Sequence, residues 1–173
     1  MTAGPLPVDY AIVALGSNLG NSAIALRRAV AELERLSTGP FELSSLWRSI
    51  PVDCPAGSPD FLNAVCLWRP FPGTTPESLL DQLQALERGF GRSPKTILNE
   101  PRPLDLDLIA FGQRVRNDPR LILPHPRAHQ RRFVLAPLHE IAPDLFLPGW
   151  PLSVAGMLSA LGPDPGDSVR IPA

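Results

Sequence analysis

The sequence predicts an α+β fold on a mainly antiparallel sheet, and three observations carry that prediction. Short apolar runs alternate with stretches of helical period in the order β-α-β-β-α-β. Hydrophobic residues make up 44% of the chain and charged residues 19%, so the bulk buries a core and disorder is excluded for it. The 22 prolines and 13 glycines then belong in the connections. At 173 residues the chain is expected to form a single domain over 1–161, followed by a loosely held tail at 162–173.

Residues 10–15 (YAIVAL) read as a buried strand ahead of the turn cluster GSNLGNS at 16–22. Asn21 or Ser22 caps the helix that follows. Leu26, Val30 and Leu33 share one face of it, and Arg27, Arg28, Glu32 and Glu34 cover the other. Thr38–Gly39–Pro40 ends it. FELSSLWRSI at 41–50 reads as a second strand, PVDCPAGSP at 51–59 as a loop, and FLNAVCLWR at 61–69 as a third strand. Thr75 and Pro76 open a second amphipathic helix with Leu79, Leu83, Leu86 and Phe90 on one face, closed by Gly89 and Gly91. LDLDLIAF at 104–111 is the fourth strand. This order is the ferredoxin-like, split βαβ pattern, with both helices on one face of four antiparallel strands. Helical candidates at 132–141 and 153–161 can cover the other face and extend the core to a three-layer αβα sandwich.

Charge and composition exclude several function classes. A net charge of -1 argues against a broad nucleic-acid surface, which needs a basic excess. No apolar run approaches the ~20 residues that span a bilayer, so no membrane partner is expected. MTAGPLPVD at the N-terminus has no basic residue and no long apolar run, so it is not read as a signal peptide. Cys54 and Cys66 form neither a CxxC pair nor a Cys/His cluster. A cytoplasmic setting and a monomeric state are expected.

The segment PRPLDLDL at 101–108 carries the clearest chemistry. Strand alternation puts Leu104, Leu106 and Leu108 on one face and Asp105 and Asp107 on the other, with the aspartate Cα atoms roughly 6.6 Å apart. Two carboxylates that close repel unless a cation neutralises them, and Mg²⁺ takes one or two carboxylates plus substrate phosphates. Taken alone, LDLDL reads more readily as a half-buried strand with a wet face than as a metal site. Arg92, Lys95 and Arg102 lie before the aspartates, and His125, Arg127, His129, Arg131 and Arg132 after them. Cations beside a metal-binding carboxylate pair suit polyphosphate transfer. GSNLG at 16–20 lacks the Walker lysine and reads as a tight turn with a helix cap. Phe61, Asn63 and Phe133 offer two flat rings and an amide to a planar heterocycle, although core packing is the ordinary role of such rings. Gln84 and Glu87, three apart on the second helix, read as an exposed polar face. Pro126 breaks the helical spacing of His125 and His129, which argues against a two-histidine zinc site.

These segments together resemble the 6-hydroxymethyl-7,8-dihydropterin pyrophosphokinase family. ALGSNLGN (14–21), SSLWRSIPV (44–52), DFLNAV (60–65), ALERGFGR (85–92), PRPLDLDLIAFG (101–112) and LPHPRAHQRRFVLAPLHEIAPD (123–144) occur in family order. The resemblance implies ATP as co-substrate, pyrophosphoryl transfer to the hydroxymethyl oxygen of the reduced pterin, and AMP as the second product. It places two Mg²⁺ ions on Asp105 and Asp107. It places the pterin between Phe61 and Phe133, with Asn63 on its edge and the backbone from Ser49 to Val52 lining the pocket. Arg92 and Arg102 match loop arginines that close over the triphosphate, so Arg92, Arg102, Asp105 and Asp107 form the implied catalytic set. His125 and Arg131 match ATP contacts, and Gln84 and Glu87 match ATP-side positions. The partners implied are small-molecule substrates. The rival class is a ferredoxin-like module that binds a ligand or RNA without catalysis.

Overall fold

A computed structural model describes residues 4–51, 54–91 and 101–171. In chain order the elements are β1 (Gly4–Pro5), β2 (Ala11–Ser17), α1 (Ser22–Glu34), β3 (Ser37–Leu43), β4 (Trp47–Ser49), β5 (Phe61–Pro70), α2 (Pro76–Gly89), β6 (Asp105–Phe111), β7 (Arg116–Asn117) and β8 (Ile122–Leu123). A single 3₁₀ turn at Ala128–Gln130 precedes α3 (Arg132–Ile141), β9 (Leu145–Phe146), α4 (Val154–Ala160) and β10 (Ser168–Arg170). The principal sheet runs β10-β4-β5-β2-β6, with β3 also on β5, and its pairings are all antiparallel. Two small ribbons, parallel β1–β9 and antiparallel β7–β8, complete a mixed α/β fold with a mainly antiparallel sheet.

Strand alternation splits the core into two clusters. Ala11, Val13 and Leu15 of β2, Ala64, Cys66 and Trp68 of β5, and Leu106 and Leu108 of β6 pack with Leu26 and Leu33 of α1 and Leu79 and Leu83 of α2. The intervening Ile12, Val65, Leu67 and Ile109 pack with Val134, Leu135 and Leu138 of α3 and Val154 and Met157 of α4. Both helix starts follow their caps. Asn21 Oδ1 accepts the Ile24 N–H at 3.1 Å, and Thr75 and Ser78 form a reciprocal capping box ahead of Pro76. Leu104 joins the cluster of Leu106 and Leu108, so both aspartates of the LDLDL run lie on the opposite face of β6.

Three stretches differ from the sequence reading. The expected single strand 41–50 is broken into β3 and β4, because Ser44 Oγ takes the Val65 N–H at 3.0 Å and bends the chain out of the ladder. Helix α1 ends at Glu34, and Gly39–Pro40 sit inside β3 at an irregularity in its register with β5. Only one side of that strand is paired, which lets a residue without an N–H belong there. The tail, expected to be loosely held, carries β10. Its Ser168, Val169 and Arg170 pair with Ser49, Arg48 and Trp47, and the Ile171 N–H donates to Leu46 O at 2.8 Å.

Candidate active site

The site forms where β2 runs out of large side chains. Ala14 and Gly16 are neighbours of Asp107 and Asp105 on β6, and of Val65 and Asn63 on β5. Asn63 and Asp105 thus flank Gly16 from either side, two strand spacings or roughly 10 Å apart. A Cβ at Gly16 would rest 3.5 Å from Asn63 Oδ1 and 3.6 Å from Phe61 Cδ1. The glycine leaves that space to a cavity of about 350 Å³.

That cavity collects the residues singled out in the sequence. Ser49, Phe61, Asn63, Gln84, Glu87, Arg102, Asp105, Asp107, His125, Arg131 and Phe133 all line it. Val52 and Arg92 lie outside the described residues, as do Lys95 and the stretch 92–100. His129 is not in the lining and instead meets Trp150 edge-on, with ring centroids 6.3 Å apart.

The charged groups form two matched sets. Arg102 Nη1 lies 3.4 Å from Asp105 Oδ1, and Arg131 Nη1 lies 3.7 Å from Asp107 Oδ2. The Arg102 guanidinium also sits over the Phe61 ring at 5.8 Å, and that of Arg131 over the Phe133 ring at 5.5 Å. Each carboxylate therefore has a guanidinium, and each guanidinium has a ring. Among the described residues no three His, Cys, Asp or Glu gather as a metal cage. Two carboxylates on one strand face, open to a cavity, are nevertheless the donor set Mg²⁺ uses when phosphates supply its other ligands.

His125 is fixed as a neutral donor. Its backbone N–H donates to Ile109 O at 2.8 Å, and its Nδ1 accepts the Arg127 N–H at 3.2 Å. The ring proton is thereby assigned to Nε2. Burial first, then the charges of Arg131 and Arg127, push its pKa down to about 4, so the ring is uncharged near neutrality. Asn63 is oriented in the same manner. Its Nδ2 donates to Ser49 Oγ at 2.8 Å and to Trp47 O at 3.4 Å, which leaves Oδ1 on the Gly16 side.

Two residues have roles the sequence reading did not assign. Glu87 is only 6% exposed, which corrects its reading as part of an exposed polar face. Its Oε1 accepts the Leu106 N–H at 2.7 Å, on the side of β6 turned away from β2. Asn18 is buried and brackets Arg102: its Oδ1 accepts the Arg102 N–H at 2.9 Å, and its own N–H donates to Arg102 O at 3.2 Å. Asn18 Nδ2 also donates to Pro59 O at 3.2 Å, tying the two loops that flank the cavity. The signal for Asn18 was its place in GSNLG, a turn cluster at the end of the strand that runs beside the aspartates.

Comparison with known proteins places the chain. The family model described as 7,8-dihydro-6-hydroxymethylpterin-pyrophosphokinase (HPPK) matches residues 12–143. The chain is 42% identical over 142 residues to the 2-amino-4-hydroxy-6-hydroxymethyldihydropteridine pyrophosphokinase of Pseudomonas aeruginosa, covering 82% of this chain and 85% of that protein. It is 40% identical over 139 residues to the protein of the same name from Haemophilus influenzae, with 80% and 84% covered. It is also 38% identical over 143 residues to the folic acid synthesis protein fol1 of Pneumocystis carinii, where the match covers 83% of this chain and only 19% of that protein. Among solved structures, a triple mutant of Plasmodium falciparum HPPK-DHPS with pteroate shares the fold, at a TM-score of 0.72 and 12% identity, over 95% of this chain and 47% of that one. The match over residues 12–143 and the near-full-length bacterial relatives agree, and the chain belongs to the 7,8-dihydro-6-hydroxymethylpterin-pyrophosphokinase family.

Proposed function

We propose that this protein transfers a pyrophosphoryl group from ATP to the hydroxymethyl oxygen of 6-hydroxymethyl-7,8-dihydropterin, giving the pterin diphosphate and AMP in folate biosynthesis. One observation carries the site assignment. Phe61, Asn63 and Phe133 share a cavity with a carboxylate pair and two arginines, so a flat heterocycle and a polyphosphate can meet in one space. Phe61 and Phe133 stack on the pterin, Asn63 Oδ1 accepts from its edge, and Ser49 completes that wall, with Val52, outside the described residues, proposed as a further pterin contact. Gln84, Glu87 and His125 face the nucleotide, and the neutral His125 gives it an Nε2–H donor. Arg92, Arg102 and Arg131 neutralise phosphate charge, with Arg102 set beside Asp105 by Asn18.

Asp105 and Asp107 would hold Mg²⁺, two ions on this reading. The chemistry the metal supplies when bound is Lewis-acid neutralisation of the phosphates. No side chain here needs to be a strong base, because phosphoryl transfer depends on positioning and charge stabilisation. For the arginines, leaving an aspartate for a phosphate keeps each guanidinium paired throughout.

The same reading takes the fold as a ferredoxin-like core extended to a three-layer αβα sandwich. The support is that α1 and α2 share one core cluster while α3 and α4 share the other. It also takes the chain as a single domain, extended past residue 161 by the tail strand β10 on its sheet, and the protein as a cytoplasmic monomer acting on small molecules, without nucleic-acid or membrane partners. A net charge of -1 speaks against nucleic acid. No helix among the described residues is long and apolar enough to cross a membrane. An RNA-binding module is disfavoured by Asp105 and Asp107, which repel phosphate unless a cation intervenes. The deciding experiment incubates the protein with MgATP and 6-hydroxymethyl-7,8-dihydropterin. AMP with pterin diphosphate is expected, whereas ADP or unchanged ATP would overturn the reading.

A further inference from the structure

Glu140 lies outside the cavity, on the last turn of α3, yet its carboxylate is the meeting point of three elements. Oε1 accepts the Ser45 hydroxyl at 2.6 Å, and Oε2 accepts the Ser45 N–H at 3.2 Å and the Trp47 indole N–H at 3.1 Å. Arg170 of β10 donates to Glu140 Oε1 at 3.2 Å and to Ser45 Oγ at 2.9 Å. Burial opposes the charge on Glu140, but the bonds from Ser45 and Trp47 and the charge of Arg170 outweigh it and hold the carboxyl below its ordinary range.

The two elements joined here carry opposite walls of the pterin slot. Helix α3 bears Phe133 two turns before Glu140, on the same side of the helix. Strand β4 bears Ser49, and Trp47 O and Ser49 Oγ are the two acceptors that orient the Asn63 amide. Arg170 lies beyond the residues 12–143 matched by the family model, so the C-terminal strand adds a part to this junction that the family match does not include.

We propose that Glu140 is a positioning residue for the pterin, setting the distance between Phe133 and the Asn63 wall, and that Arg170 of the C-terminal strand completes the clamp. The proposal rests on the pterin placement given above. The clamp acts on one substrate. The nucleotide side is held by Asn18, Glu87 and the backbone of His125, which contact other elements. Glu140 and Arg170 are at the surface, so changing them leaves both core clusters intact.

The test compares Glu140→Ala, Glu140→Gln and Arg170→Ala with Phe61→Ala and the unaltered protein. KM for hydroxymethyldihydropterin and for MgATP, kcat, and direct pterin binding by fluorescence titration are measured for each. Glu140→Ala should raise the pterin KM roughly tenfold, the scale of losing a hydrogen bond to a charged group, with MgATP KM within about twofold of normal. Glu140→Gln, which keeps one acceptor oxygen, should recover part of the loss, and Arg170→Ala should show a smaller rise confined to the pterin. A folded Glu140→Ala with normal pterin KM and binding overturns the clamp, as does an equal rise in both KM values. Phe61→Ala tests the slot itself. If it leaves pterin binding unchanged, the pterin placement fails. If it weakens pterin binding while Glu140→Ala and Arg170→Ala do not, the clamp alone fails.

Discussion

The Glu87 carboxylate accepts the backbone N–H of Leu106 at 2.7 Å, at the start of β6 between Asp105 and Asp107. The amides on either side of Leu106 face β2, where Asp105 and Asp107 are paired with Gly16 and Ala14. Glu87 thus holds the strand from α2 at the point where its two acids emerge. Removing the acceptor leaves a buried N–H without its partner. Glu87→Leu is expected to destabilise the fold by about 1–3 kcal/mol, read as a lower urea midpoint with an unchanged slope. Glu87→Gln keeps an acceptor and should lose less. An unshifted midpoint in Glu87→Leu would show that this bond holds nothing.

The aspartates themselves should separate chemistry from folding. Each is partly exposed and outside the two core clusters, so Asp105→Ala and Asp107→Ala should keep the native far-ultraviolet circular dichroism. AMP formation should fall by at least ~10²-fold in each, the scale of losing a preorganised charge-stabilising group. Raising Mg²⁺ should not restore the rate. Near-normal AMP production by both variants contradicts the metal assignment.

Arg102 tests the division between binding and rate. Asn18 fixes its backbone on both sides, but its guanidinium is shared between Asp105 and the Phe61 ring. A side chain that turns to phosphate during reaction matters more in the transition state than in the ground state. Arg102→Ala should lower the single-turnover rate by roughly 10²-fold, with a much smaller change in MgATP affinity. Equal losses in rate and affinity make Arg102 an ordinary binding residue.

His125 gives stability a pH dependence of known direction. Its folded pKa is about 4 against an ordinary 6.5, so between those values the unfolded chain binds a proton that the folded chain does not. Its contribution is whole above the unfolded value and is lost as pH falls toward the folded one. Unfolding free energy should therefore decline between about pH 6.5 and 4, and His125→Gln should decline less steeply over that window. Parallel pH profiles for the two proteins would remove His125 as the cause.

Much of this architecture was legible because it is local. The Leu-Asp alternation at 104–108 fixes which face of β6 is dry, and the apolar period at 132–141 gives α3 its observed bounds. Thr75–Pro76 announces the start of α2 in the same manner. What escaped depends on partners distant in sequence. Ser44 bends its strand by bonding Val65, and nothing in SSLW states that. Glu87 looks like a surface acid on its own helix and is buried only because the β6 amide lies above it. Asn18 meets Arg102 from 84 residues away. The tail looked unanchored because three of its residues find their ladder on β4, more than a hundred positions earlier.

Strand β6 ends the principal sheet, so its outer backbone groups face no further strand of that sheet. An unpaired edge rich in leucine is a template for self-association between copies. Here Glu87 occupies the Leu106 amide and the His125 N–H occupies the Ile109 carbonyl, so a foreign strand finds two of its docking points taken. The alternating aspartates add charge along the same edge, which a second identical strand would have to bring together with its own. The groups gathered around the cavity thus also act as gatekeepers against aggregation. Variants that neutralise Asp105 and Asp107 together invite edge-to-edge strand pairing between copies at the concentrations used to assay them.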